Sequence, residues 1–339
     1  MGVSVLYSYH NTIKKRIKNG ELIGFVHELT KEETPKLAKE ALTMLDHKQP
    51  TILLYDLWNE TGDEKYKNAI IEAAKSMYYW PVNSVGGYWH MMTQHNQMWL
   101  DGAYMAGILS VMYAKYFDDP ILRDRAIKQI LLMNKYMRDE KTGLYYHGWD
   151  ESKEAMWADK ETGLSENFWG RAMGWYAVAI VDMLEYIPEN HPDVPKLVEI
   201  ERQLLMDLAK FQDTKSGMWF QVVDKIDAED NWVESSCTAL FLYSYSKAVR
   251  MGIVENDEYK DVIRNAYKGL IDTLYYDDEG YIVIDNVCSG LCIGEGKYKG
   301  YVNHPRINND LHGAGAFVLM CAELQKYEEF TDTALISQN

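Results

Sequence analysis

Residues 139–146 read DEKTGLYY, residues 213–220 read DTKSGMWF and residues 277–281 read DDEGY. Each stretch is an acidic turn that contains one glycine, and aromatic residues follow the glycine. The interval from one glycine to the next is long enough for a hairpin of two helices with its loops. A unit that returns along a chain in this way is the mark of a repeat architecture, so this turn decides the fold.

The helices between these turns alternate in character. A strongly apolar helix, such as the one that contains WYAVAIV at 175–181, is followed by a more polar helix. Such hairpins cannot bury an apolar face alone, so they must pack on one another as an open solenoid or a closed toroid. The apolar helices favour an inner ring and closure. We predict that they begin near Asp101, Arg171, Glu234 and Leu311.

The remaining pattern completes an all-α prediction. Helices are expected from Thr34 to a stop near 46–50, over 52–61 and over about 65–79. Short strands are expected at 219–223 and 281–285. No run has the composition of a domain linker, so we predict one domain over residues 1–339, with residues 1–30 divergent.

The composition limits the classes of partner. A net charge of −16 argues against nucleic acid and anionic membranes. We find no secretory signal and no run of membrane-spanning length, and we therefore expect a cytoplasmic protein. The sequence does not indicate an oligomeric state. The cysteines lack zinc-ligand spacing and a disulfide framework, so we expect reduced, buried thiols at Cys237, Cys288, Cys292 and Cys321.

The stretch 94–107, QHNQMWLDGAYMAG, is the most informative for function. Asp101 stands where an apolar helix begins, so it is a candidate N-cap. Trp99 sets a large flat apolar surface beside the carboxylate, which is how a sugar ring is held next to a proton donor. Both roles remain open for Asp101 on this stretch alone.

In a toroid, the loops that enter the inner helices gather at one mouth. Their polar and aromatic residues suit a sugar acid, since tryptophans hold the ring, carboxylates handle hydroxyls and protons, and an arginine binds a carboxylate. The alternative is that the tryptophans are core residues and the charges cap helices. The set comprises Asp46, His90, Trp99, Asp101, His147, Trp149, Asp150, Trp169, Arg171, Trp175 and His312.

Signatures of other chemistries are weak or missing. His27-Glu28 lacks the second histidine of a zinc-protease helix, and the glycines at 294–300 miss the dinucleotide spacing. No Gly-x-Ser-x-Gly motif is present. We interpret His95 as a structural histidine, and we expect neither a metal nor another cofactor.

As an ordered set, several motifs resemble the unsaturated rhamnogalacturonyl hydrolases of glycoside hydrolase family 105, relatives of the family 88 unsaturated glucuronyl hydrolases. The resemblance covers roughly 45 to 320. The matching stretches are Leu45-Asp46, TGD at 61–63, WLDG at 99–102, GLYYHGWD at 143–150, FWGRAMGW at 168–175 and DLHG at 310–313.

This resemblance implies a fold and a set of roles. The fold is an (α/α)6 barrel, and because little chain precedes Asp46, we expect the family's first helix to be short or missing. Asp101 is the general acid and base, and Asp46 assists it. Substrate binding is expected from His90, Trp99, His147, Trp169, Arg171 and Trp175.

The implied reaction is release of a 4,5-unsaturated uronic acid, of galacturonyl type, from the non-reducing end of small rhamnogalacturonan-derived oligosaccharides, as in pectin degradation. Hydration of the vinyl ether double bond would drive the release. Burial beside Trp99 and the charge of Asp46 would both raise the pKa of Asp101. The alternatives are an unsaturated glucuronyl hydrolase that acts on another polysaccharide and a non-catalytic carbohydrate-binding toroid.

Overall fold

The structure is a computed structural model, and it describes residues 44–326. Ten α-helices lie in this part of the chain: α1 Leu53–Thr61, α2 Glu64–Ser76, α3 Gly102–Phe117, α4 Pro120–Met137, α5 Gly170–Leu184, α6 Val194–Ala209, α7 Ser235–Arg250, α8 Asn256–Asp272, α9 Tyr298–Val302 and α10 Leu311–Leu324. Two 3₁₀ helices, Leu45–Ile52 and Met77–Tyr79, flank the first pair. The helix predicted from Thr34, and residues 1–30, lie outside the described residues.

Two small antiparallel sheets connect loops between helices. Strand β1, Gln97–Trp99, pairs with β2, Gly148–Asp150, with Met98 opposite Trp149. Strand β3, Leu274–Tyr276, pairs with β4, Ile282–Ile284. The prediction for 281–285 is thus confirmed. The prediction of a strand at 219–223 is wrong, because this stretch contributes only an isolated bridge between Phe220 and Val233.

Contacts divide the described residues into two compact units. The first comprises 44–207 with 293–297, and it contains helices α1 to α5 and most of α6. The second comprises 208–292 with 298–326, and its core includes α7 packed against α8 and α10. The single-domain assignment stays a prediction.

The alternation of apolar and polar helices is present as expected. Nearly every residue of α3 up to Tyr113 is buried, and α5 and α7 are equally covered. Their partners α4 and α8 bury one face only. The 3₁₀ helix Leu45–Ile52 occupies the segment where a helix was expected to stop, and it leaves Asp46 beside buried Leu45.

The acidic turns are built alike in both units. The glycine N–H donates to the main-chain carbonyl of the turn's first aspartate, at 2.9 Å for Gly143 to Asp139 and 2.8 Å for Gly217 to Asp213. The aspartate side chain accepts from the Thr142 or Ser216 main chain and hydroxyl. A further acidic glycine turn, DKETGL at 159–164, was not predicted from the sequence, although it nearly repeats residues 139–144.

None of the described helices is both long and apolar enough to cross a membrane. All four cysteines are free thiols. Cys237 and Cys288 are buried as expected, whereas the expectation of burial was wrong for Cys292, which is exposed, and for Cys321, which is only partly buried.

Candidate active site

Main-chain hydrogen bonds place five separate segments of the first unit side by side. Leu45 N–H donates to the His90 carbonyl, and His90 N–H donates to the Gln97 carbonyl. Beyond β1, Leu100 N–H donates to the His147 carbonyl, and His147 N–H donates to the Asn167 carbonyl. Asp46, Asp101, Trp169 and Arg171 each lie within four residues of one of these bonds, so backbone pairing gathers candidates far apart in sequence.

Asp101 occupies the N-cap position of α3 but does not cap it. Its side chain accepts no hydrogen bond from the first turn. By contrast, Asp63, Asp119 and Asp310 accept from the first turns of α2, α4 and α10, as capping predicts. Glu234 at the start of α7 accepts from two such N–H groups. The capping interpretation of Asp101 therefore fails, and its carboxyl remains available for another role.

Two histidines and two aspartates form the centre of the site. His90 Nε2 lies 3.0 Å from Asp46 Oδ2 and 4.0 Å from Asp101 Oδ2. His147 Nε2 lies 3.8 Å from Asp101 Oδ1. Gly102 permits this packing, because a Cβ there would meet His90 Nδ1 at 3.0 Å.

The Asp101 carboxyl is nearly enclosed. The residue is 8% exposed, and its Oδ1 has no hydrogen-bond partner among the described residues. A buried carboxyl oxygen without a protein partner is costly unless a ligand or water satisfies it, and such groups are characteristic of functional sites. Asp46, by contrast, keeps 38% of its side chain exposed.

The environment drives the two aspartates toward opposite protonation states. Burial raises the pKa of Asp101, and the neighbouring Asp46 charge adds to this, while His90 and Arg171 oppose it. Burial would also raise the pKa of Asp46, but the charge of His90, whose Nε2 lies 3.0 Å from Asp46 Oδ2, outweighs that effect and lowers the pKa. Pairs of carboxyls whose environments separate their pKa values are typical of acid–base sites.

The two histidines also differ. Burial would lower the pKa of His90, but the charges of Asp46 and Asp101 raise it overall. Burial lowers the pKa of His147 well below its usual range, and the positive charges of His90 and Arg171 act in the same direction. The arrangement therefore favours an ionic His90–Asp46 pair and a neutral His147, and of the two aspartates Asp101 holds a proton more tightly.

Aromatic rings build the walls around these groups. Trp99 stacks on His90 at a centroid distance of 4.6 Å and meets His147 edge-on at 5.8 Å. The Trp169 ring also packs on His147, at a centroid distance of 4.6 Å. The Arg171 guanidinium lies over the Trp169 ring at 4.6 Å, and this arginine is only 2% exposed. A buried guanidinium held against a ring is suited to a planar anion.

Trp175 lies one turn beyond Arg171 on α5, where its ring packs at 4.7 Å on that of Tyr104. Tyr104 in turn lies one turn along α3 from Asp101. Trp175 therefore borders the cluster through Tyr104. His95 stacks on Trp89 at 4.9 Å, which fits its structural interpretation.

Three members of the expected mouth set have other partners. The buried Asp150 carboxylate accepts from the main-chain N–H groups of Ser152 and Ala155, so it holds its own loop. Trp149 stacks on Tyr136 and donates to the Thr162 carbonyl. His312 belongs to the second unit, where Asp310 is its partner. For Trp149 and Asp150 the alternative, purely structural reading was the correct one.

One pairing was missed from the sequence. His90 was expected to bind substrate, but its nearest charged contact is Asp46. No local signal connects the two, because they are 44 positions apart (90 − 46) and meet only through the Leu45–His90 main-chain bond.

The side chains of Asp46, His90 and Asp101 could also bind a cation. One ligand atom from each of Asp46, His90 and Asp101 lies within 4.8 Å of the others. Two carboxylates and an imidazole form a reasonable donor set for a divalent transition metal. A bound metal would require a deprotonated Asp101, so cation binding and proton donation exclude each other at this site.

Comparison with known families decides the classification. The model of Glycosyl Hydrolase Family 88 matches residues 3–328 of the 339-residue chain. The chain belongs to this family. A solved glycoside hydrolase of family 105 from C. acetobutylicum ATCC 824 is 35% identical, with a TM-score of 0.81 over 84% of this chain and 80% of that one.

Two curated relatives match a shorter region. Protein Atu3128 of Agrobacterium fabrum is 33% identical over 192 residues, which is 53% of this chain and 82% of that protein. The unsaturated rhamnogalacturonyl hydrolase YesR of Bacillus subtilis is 26% identical over 189 residues, 53% of this chain and 51% of YesR. The chain therefore spans about half the length of YesR in this match.

These likenesses confirm the resemblance to families 105 and 88 and the fold class, an all-α architecture of the (α/α)6 type. The chain is a glycosidase of the unsaturated uronyl hydrolase family.

Proposed function

We propose that the protein releases a 4,5-unsaturated uronic acid of galacturonyl type from the non-reducing end of short rhamnogalacturonan-derived oligosaccharides. The observation that carries this proposal is the buried Asp101 carboxyl, whose Oδ1 accepts no hydrogen bond from the described residues, beside the His90–Asp46 ion pair. An acid kept protonated near neutral pH is what hydration of a vinyl ether needs. The galacturonyl and rhamnogalacturonan assignment is supported by the likeness to YesR.

The first chemical step is proton transfer from Asp101 to C4 of the sugar. The C4–C5 π electrons form the new C–H bond, and positive charge develops at C5, where the ring oxygen stabilises it. Asp101 becomes a carboxylate at this moment. The protonated His90, 4.0 Å from its Oδ2, stabilises the new charge, and Arg171 acts in the same sense.

The second step is addition of water to C5. The Asp101 carboxylate takes one proton from that water, which restores the acid, and the oxygen bonds to C5. The product is a hemiketal that opens spontaneously and releases the remaining sugar. Because no glycosyl-enzyme forms, the carboxyl separation rule for retaining and inverting glycosidases does not apply here.

The walls of the site suit the ring and its carboxylate. Trp99 and Trp169 both contact His147 and provide apolar ring faces. Arg171 provides the planar two-donor group for the uronate carboxylate, and neutral His147 supplies a hydrogen-bonding nitrogen without adding charge. Trp175 and Tyr104 extend the aromatic surface by one helical turn.

The decisive experiment compares matched disaccharides that carry an unsaturated or a saturated uronic acid. We expect loss of the ultraviolet band of the conjugated double bond and release of the second sugar only for the unsaturated compound. A saturated uronide has no C4–C5 double bond, so its C4 cannot be protonated. Release of sugar from the saturated compound alone would refute the vinyl-ether mechanism, and equal binding without turnover would indicate a non-catalytic carbohydrate-binding protein.

The same assay addresses the sugar to which the unsaturated uronic acid is linked. Substrates prepared from rhamnogalacturonan and from a glucuronyl polysaccharide, each opened by a lyase, carry unsaturated uronic acids attached to different sugars. A higher kcat/KM for the rhamnogalacturonan product supports the proposed specificity. A higher value for the other product would reassign the protein as an unsaturated glucuronyl hydrolase.

A further inference from the structure

A second concave feature of the first unit lies beside the candidate active site. It is a cavity of about 500 Å³, well within the range of sites that bind small molecules. Its wall combines apolar and polar groups, as a sugar with hydroxyls and apolar ring faces requires. The lining used below comprises Tyr146, Met156, Trp157, Glu161, Glu166 and Lys297.

Two stretches of chain and one packing contact connect this cavity with the catalytic cluster. Tyr146 precedes His147 directly, and Glu166 lies three residues before Trp169. Trp157 packs in one apolar cluster with Trp99, the ring that stacks on His90. Adjoining residues therefore line the cavity and the acid site, which is the relation expected between neighbouring binding positions for linked sugars.

Residues 293–296 position Lys297 at this cavity. Ile293 packs in the Trp99 cluster, and Asn167 Nδ2 donates to the Gly296 carbonyl at 2.7 Å. Gly296 lies against Trp157 with φ +71°, where a Cβ would come within 2.7 Å of the Trp157 Cβ. Contacts of Ile293 and Gly296 thus fix the segment that precedes Lys297, although the lysine side chain itself is exposed.

The charges around the cavity are mainly negative. Asp159, Glu161 and Glu166 contribute three carboxylates, and Lys297 contributes one ammonium. That ammonium is already paired, since Lys297 Nζ donates to Glu166 Oε2 at 2.8 Å. Carboxylates accept hydrogen bonds from sugar hydroxyls, but they repel a sulfate or a second uronate.

We infer that this cavity binds the leaving sugar of the proposed substrate, and that the Glu161, Glu166 and Lys297 charges select a neutral sugar over a sulfated or acidic one. The inference rests on the proposed function, because it assigns the neighbouring position of the same reaction. Trp157 and Met156 supply the apolar surface for the sugar ring, and Glu166 with Lys297 supplies the polar edge.

The test uses three compounds of the same unsaturated uronic acid: one linked to a neutral sugar, one linked to that sugar bearing a sulfate, and the methyl glycoside, which has no leaving sugar. Wild-type protein should show the highest kcat/KM with the neutral disaccharide. Absorbance loss is the readout for all three compounds.

Glu166→Gln removes one carboxylate and releases the Lys297 ammonium from its pair. We expect kcat/KM for the sulfated compound to rise by about 3- to 10-fold, the effect of one partly solvated charge. The change should be confined to compounds that carry a leaving sugar. Glu161→Gln, which leaves the Lys297 pair intact, should raise the same value by a smaller factor.

Glu154→Gln is the matched control. Glu154 is exposed on the same loop, but it is not among the described residues that line the cavity. If Glu166→Gln and Glu154→Gln leave the neutral-to-sulfated ratio equally unchanged, or if the methyl glycoside responds as strongly as the disaccharides, the inference is wrong. Wild-type protein that leaves the absorbance of all three compounds unchanged would instead refute the proposed function.

Discussion

Replacement of Asp101 by Asn should separate catalysis from stability. Asn has nearly the same shape and caps helices as well as Asp, so a capping residue would tolerate the change. Asp101 does not cap α3, and burial raises the pKa of its carboxyl. We expect the variant to fold, to retain substrate binding and to lose turnover by about 10²–10⁴-fold, the contribution of a positioned general acid.

The free energy of unfolding provides a second readout for the same variant. Because the pKa of Asp101 in the folded protein lies above its ordinary value of 3.8, the folded state holds the proton more tightly than the unfolded chain. Stabilisation from this group is complete below that ordinary value and is lost as pH rises through the folded-state pKa. The loss has a slope of up to about 1.4 kcal/mol per pH unit.

An Asn side chain does not titrate in this range and escapes that loss. Asp101→Asn should therefore be at least as stable as the wild type at neutral pH, with a margin that grows between the two pKa values. Denaturant unfolding at several values from about pH 4 to about pH 8 measures the margin. The absorbance assay with an unsaturated disaccharide measures turnover.

Asp63→Ala is the control for a true cap. The Asp63 side chain accepts from Lys65 N–H at 3.0 Å at the start of α2. Its removal should lower the midpoint of denaturant unfolding and leave turnover unchanged. Asp101 is not the general acid if Asp101→Asn stays within a few-fold of wild-type turnover. Asp101 acts as a helix cap if the variant loses stability as Asp63→Ala does.

Three further predictions concern the neighbours of Asp101. Burial raises the pKa of Asp101, and His90 is the main charge that opposes this effect. His90→Gln should therefore move the alkaline limit of kcat/KM to higher pH. An unmoved or lower limit would contradict the electrostatic assignment. Arg171→Lys should raise KM by about 10-fold because the planar two-donor geometry is lost, and an unchanged KM would argue against the carboxylate contact. Zn²⁺ should inhibit by binding Asp46, His90 and Asp101, whereas a chelator alone should leave activity unchanged; activation by the metal would require a different mechanism.

The helical architecture followed from local patterns. Helices α3, α5, α7 and α10 begin at Gly102, Gly170, Ser235 and Leu311, each within one residue of the position predicted from the sequence. This accuracy has a physical cause, because both signals are local in the sequence. The acidic glycine turn is closed by its own main-chain hydrogen bonds, and a continuous run of apolar residues indicates a buried helix. The strand expected at 219–223 failed because strand pairing depends on a distant partner.

Most of the candidate site could also be named from the chain, because Trp99, Asp101, Trp169 and Arg171 stand where apolar helices begin, and His147 lies in one of the motifs that carry the family resemblance. What the sequence could not decide was which acids cap and which remain available. Glu234 and Asp101 occupy equivalent places before α7 and α3, yet only Glu234 accepts bonds from its helix.

Only the tertiary structure decided the protonation pattern. The pKa of Asp46 is low because His90 lies 3.0 Å away, and that of Asp101 is high because the carboxyl is buried with His90 no closer than 4.0 Å. Composition and spacing contain neither distance, since both arise from main-chain bonds between remote segments. The sequence alone determined the residue types and the helices that present them, while the side-by-side arrangement of those segments determined which aspartate carries the proton.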